Sequence, residues 1–119
     1  MVKRTVKSGP MLFVQKLEIT KPSMLTLYIL QDEKRFMAKC PELDLVTEMN
    51  TREKALDALL EIIMEYSEDY MKQYELFSRS PNRKYHRPYI AIIKNCKSKW
   101  ELLELINVKY GHIQLQSVA

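Results

Sequence analysis

Glycine is nearly missing from this 119-residue chain, with only Gly9 and Gly111 present. A phosphate-cradling loop needs several glycines, so the Walker and Rossmann patterns are excluded. Turns must instead come from Asn, Asp, Pro and Ser. Cysteine is scarce as well: Cys40 and Cys96 are far apart and form neither a CxxC pair nor a zinc-ligand cluster. That usage points to free thiols in a reducing compartment. Only His86 and His112 supply imidazole, and neither has a second His or Cys at metal-ligand spacing. No metal and no cofactor are expected. No apolar run approaches the roughly 18 residues that cross a bilayer, and no charged-then-apolar leader opens the chain. The expected location is therefore cytoplasmic, without membrane insertion.

What is present suits a folded domain. Hydrophobic residues make up 46% and charged residues 29%, far from the composition of a disordered chain. The length suits one domain over residues 11–119, preceded by a basic, flexible arm at 1–10 that carries Lys3, Arg4, Lys7 and the Gly9-Pro10 break. A net charge of +4 is compatible with nucleic-acid or acidic partners but too modest to require them.

Along the chain, residues 11–20 alternate in polarity and predict a strand with Phe13, Leu17 and Ile19 inward. The apolar run at 24–30 predicts a central strand, and QDEKR at 31–35 predicts a hairpin turn. Phe36, Ala38 and Cys40 share one face of the next strand, which Pro41 ends. Leu45 to Glu48 form a third short strand, and Asn50-Thr51 supplies a helix N-cap. Apolar residues from Ala55 to Phe77 recur at three- and four-residue steps without Pro or Gly, so one helix is expected over about 52–77. At 1.5 Å per residue it would span about 39 Å, longer than a common strand, and its last turns must overhang the sheet. Tyr66, Tyr70 and Tyr74 read first as packing residues. YIAII at 89–93 predicts another interior strand. Ser98, with Glu101 three residues on, predicts a capped helix through Trp100, Leu103, Ile106 and Tyr110, followed by an alternating tail. The expected fold is α+β: a small antiparallel-rich sheet of 3–5 strands, a long helix on one face and a second C-terminal helix, in the order β-β-β-β-α-β-α.

Residues 36–63 carry one further signal. The segment Phe36-x-Ala38-x-x-Pro41-Glu42-Leu43, continued by Asn50-Thr51-x-Glu53-x-Ala55-Leu56 with Leu59, Glu61 and Ile63, resembles the HicB-like antitoxin family. The resemblance implies a degraded RNase-H-like fold and a protein that binds and neutralises a HicA toxin, a double-stranded-RNA-binding-like mRNA interferase. Many members also carry a C-terminal DNA-binding module. One helix and a tail after residue 93 are too little for a helix-turn-helix.

Three functional readings follow. A non-enzymatic toxin-binding module, with Tyr70, Tyr74 and Phe77 at the helix overhang as an oligomer or partner surface, is the first; a homo-oligomer is expected. The second is RNA or DNA binding by Arg79, Arg83, Lys84, Tyr85 and Arg87, in the most basic window of the chain. The third is a nuclease, which would need carboxylates such as Asp32, Glu33, Glu42, Asp44 and Glu48 to converge on metal ions. These lie in turns and at strand ends, so no catalytic residue is assigned.

Overall fold

A computed structural model describes residues 24–112. The arm at 1–10, the strand expected at 11–20 and the end of the tail lie outside the described residues.

The sheet has four strands. We number them β1 (Leu25–Asp32), β2 (Arg35–Cys40), β3 (Leu45–Met49) and β4 (Ile106–His112). Their spatial order is β3-β2-β1-β4, antiparallel from β1 to β3 and parallel between β1 and β4. The expected α+β class and the central strand expected at 24–30 are therefore observed, in a mixed sheet. Strand β1 is central because alternate residues Leu25, Leu27 and Ile29 are buried while both its edges are paired. Asp32 pairs with Arg35, leaving Glu33-Lys34 as the turn, with Glu33 in the left-handed region at φ 58°.

Helix α1 (Arg52–Lys72) crosses one face of the sheet. Thr51 begins it: its hydroxyl accepts from the Lys54 amide at 3.1 Å, satisfying one of the unpaired N–H groups of the first turn. Ala55, Leu59, Leu60 and Ile63 meet Leu25, Leu27, Ile29, Ala38 and Cys40 in the core. The Pro41-Glu42-Leu43 segment is a 3-10 turn whose residues each have structural work. Leu43 is buried in the core. The Glu42 carboxylate accepts from the Thr26 amide at 3.1 Å, and Asp44 closes the turn at φ 56°.

Three expectations are corrected. The long helix breaks at Gln73, and a short α2 (Tyr74–Phe77) follows; no Pro or Gly marks the break. Residues 89–93 are not a strand but part of helix α3 (Arg87–Ile93). Pro88 lies in its first turn, where a missing N–H costs nothing. Ile90 and Ile93 are buried while Ala91 and Ile92 are exposed, which is helical spacing. A five-residue apolar run carries no period of its own and permits either element. The Ser98 helix, α4 (Lys99–Leu103), is capped as expected, with the Ser98 hydroxyl accepting from the Glu101 amide at 3.3 Å. It stops at Leu103, and Ile106 and Tyr110 belong to β4. Their four-residue spacing satisfies both periods, whereas half-buried Ile106 and Val108 flanking exposed Asn107 reveal the strand.

Candidate functional site

The last turns of α1 meet the 78–86 loop and α3. An aromatic row forms there. Tyr66, Tyr70, Tyr74 and Phe77 make edge-on contacts, with Tyr70 5.9 Å from Tyr66, 6.1 Å from Tyr74 and 5.6 Å from Phe77. Edge-to-face packing sets positive ring edges against negative faces. Tyr70 is wholly buried and its hydroxyl donates to the Arg83 carbonyl at 3.0 Å. It is therefore interior, and of the three residues expected at the overhang only Tyr74 and Phe77 retain exposed surface.

The loop is held by the same row. The Arg83 guanidinium lies 4.4 Å from the Phe77 ring centre and 5.7 Å from that of Tyr66, a cation-π arrangement that fixes the side chain. Arg79 instead pairs with Glu75 at 2.9 Å, one helical turn back. Lys84 sits over Tyr85 at 5.2 Å, and Tyr85 is exposed. Arg87 opens α3 and is exposed. The two groups of candidates thus form one unit joined through Arg83, although the five basic-window residues do not converge on a single pocket.

His86 completes the unit. It is buried, with Nδ1 2.6 Å from the Tyr66 hydroxyl and Nε2 3.4 Å from Asp44 Oδ2. Burial raises the pKa of Tyr66 above its ordinary value of 10.0, and in the imidazole tautomer with its proton on Nε2 the phenol donates to Nδ1. Nε2–H then faces the Asp44 carboxylate. Beside this relay lies a cleft of about 450 Å³ lined by Leu43, Asp44, Tyr66, Asn82, Arg83 and His86. The Tyr-His-Asp order superficially resembles a nucleophile and its base, and burial of the phenol works against its ionisation. Cys40 is likewise no nucleophile: burial pushes its thiol up to about 12.

Sequence reasoning assigned His86 no partner. Its signal was spatial, since Tyr66 and Asp44 come from elements far away in sequence. The acidic residues considered for a nuclease are dispersed. Glu42 bonds Thr26, Glu48 pairs with Arg35 at 3.6 Å, and Asp44 faces His86. Among the described residues no three His, Cys, Asp or Glu side chains cluster to hold a metal ion, and no helix is long and apolar enough to cross a membrane.

Residues 14–109 match a protein family described as PHD-like, antitoxin of toxin-antitoxin, RelE / RelB, TA system. The fold is shared with a crystal structure from Syntrophomonas wolfei subsp. wolfei, described as an antitoxin part of a proposed toxin/antitoxin system. The TM-score is 0.66 and the identity 23%, covering 89% of this chain and 80% of that one. No curated protein matches the chain. The antitoxin class expected from residues 36–63 is thus found, under a RelE/RelB heading rather than a HicB one.

Proposed function

Because this chain belongs to the PHD-like family of toxin-antitoxin antitoxins, we propose that it acts without catalysis, by binding its toxin directly and covering the toxin's working surface. The observation that carries this reading is the extent of the family match: residues 14–109 take in β1 to β3, α1, the basic loop, α3 and the start of β4. The relay at His86 supports it from chemistry. Its groups are spent on one another, which suits a device that fixes a surface. The family heading makes a RelE-type toxin the first partner to test; a HicA-type mRNA interferase is the second, on the strength of the motif at residues 36–63.

Co-expression with the toxin encoded by the neighbouring gene tests this. The expected outcome is relief of toxin-induced growth arrest and a stoichiometric complex on purification. Absence of association at micromolar concentrations would refute it.

A second reading, nucleic-acid contact, draws on Arg83, Lys84, Arg87 and exposed Tyr85, whose cations have no carboxylate partner among the described residues. It predicts affinity for a mixed-sequence duplex that falls steeply with salt; binding insensitive to salt would rule it out. Self-association through Tyr74 and Phe77 belongs to the same set of proposals and is read from the mass of the purified protein.

A further inference from the structure

A groove separates the C-terminal half of α1 from α3. Its upper end is lined by Met71, Tyr74, Ile90 and Ala91, with Arg87 and Lys94 on the rim. It continues along Ser67, Glu68 and Lys72 and ends near Met64, Ile93 and Cys96. From Met64 to Lys72, where α1 ends, its wall is about 12 Å long at 1.5 Å per residue, enough for about two turns of a partner helix, and Tyr74 of α2 closes the upper end.

Three features of this groove point to an occupant. Met71 and Tyr74 are each 38% exposed, giving it an apolar wall, and methionine adapts its shape to what it meets. The rim holds Lys72, Arg87 and Lys94 against Glu68 alone, and these cations have no carboxylate partner among the described residues. By contrast, Arg79 and Lys99 elsewhere on the same half of the molecule are paired with Glu75 and with Asp57 and Glu61. At the deep end the buried Ser67 hydroxyl has no hydrogen-bond partner among the described residues, and Ser67 lines the groove. Buried hydroxyls are normally satisfied.

We propose that the groove between α1 and α3 receives a segment of the toxin with one apolar face and acidic residues along its edges. This rests on the toxin-binding reading above and names the surface that performs it. Apolar side chains of the segment cover Met71, Tyr74 and Ala91 above the buried Ile90, its carboxylates meet Lys72, Arg87 and Lys94, and a polar group takes up Ser67. An amphipathic segment laid in a groove is a recurrent form of protein recognition. A nucleic-acid backbone would use the cations but leave the apolar wall and Ser67 idle, so a protein segment fits better.

The probe is the purified toxin encoded beside this gene, titrated calorimetrically into full-length wild-type protein and variants whose melting temperatures match it. Ala91→Arg fills the exposed apolar wall, and Arg87→Glu with Lys94→Glu reverses the rim. Each is expected to weaken binding at least tenfold, and the loss from the rim variant shrinks at high salt. Ser67→Ala weakens binding severalfold without lowering stability, whereas Val46→Arg on the opposite face of the sheet leaves it unchanged. Toxin binding by the wild type with unaltered affinity in the groove variants would overturn the groove and leave the toxin-binding reading standing. Failure of the wild type to bind overturns both. Loss of duplex-DNA binding, or of a dimer, in the rim variant without loss of toxin binding would assign the groove to another occupant and also overturn the proposal.

Discussion

The strand half of the molecule, residues 25–63, and the helical half, residues 64–99, are stabilised by different chemistry. In the first, aliphatic side chains such as Leu27, Ile29, Leu59 and Ile63 are sealed between sheet and helix, and the polar groups of the Pro41 turn are spent on β1. In the second, Ile90 and Ile93 are buried too, but rings and charges join them: Tyr66 on His86, Tyr70 on the Arg83 carbonyl, Arg83 over Phe77. A hydrophobic core is non-directional and tolerant, and it makes a scaffold. A polar-aromatic network needs each partner in place, and it positions a surface. The comparison assigns the fold to the first region and the individuality of the protein to the second.

Substitutions can break or sharpen this division. Leu59→Ala removes a fully buried side chain from the interface of α1 and the sheet and is expected to cost about 3 kcal/mol, read as a lower denaturant midpoint for the whole domain. A loss below about 1 kcal/mol would mean that the strand half is not the scaffold. Tyr66→Phe leaves Nδ1 of buried His86 without its hydroxyl partner and should cost about 2 kcal/mol. Faster amide exchange confined to residues 78–86 would mark it as a local effect; uniform acceleration would contradict the separation.

Alkaline titration probes both halves at once. Burial raises Cys40 in the strand half from 9.0 to about 12, and it raises Tyr66 and Tyr70 in the helical half above 10.0. Each group favours its protonated form in the folded state. Its contribution is therefore complete below the ordinary pKa and is lost as pH rises through the raised one. By pH 10, one unit above the ordinary cysteine value, stability should fall by about 1 kcal/mol, and Cys40→Ala should flatten the first part of that decline. A decline below pH 8 would contradict the assignment. The smallest effect belongs to Arg79→Ala: its ion pair with Glu75 is exposed on both sides and should cost about 0.3 kcal/mol.

The same division governs what could be read before the structure. In the strand half, local patterns decide: Leu25, Leu27 and Ile29 alternate around a short hairpin, and Thr51 caps a stripe that runs through Leu59 and Ile63. The helical half is set by contacts distant in sequence. Nothing near His86 announces Asp44 or Tyr66. The run at 89–93 carries no period until Ile90 and Ile93 are seen buried together, and Ile106 with Tyr110 fit a helix and a strand equally. Of the candidate site residues, Arg79, Arg83, Lys84, Tyr85 and Arg87 are recognisable as a basic window; the Arg79–Glu75 pair is local, whereas the place of Arg83 beside Tyr66 and of Arg87 beside Met71 depends on α1, which no local window contains. The groove escaped because half of it is made by a helix that reads as a strand.

The most direct test of the division between scaffold and partner surface is amide hydrogen exchange on the complex with the toxin. The account predicts slowed exchange across residues 64–94, where the C-terminal turns of α1 and α3 border the groove, with β2 and β3 unchanged. Protection confined to the strands, with α1 and α3 exchanging as in the free protein, would contradict it.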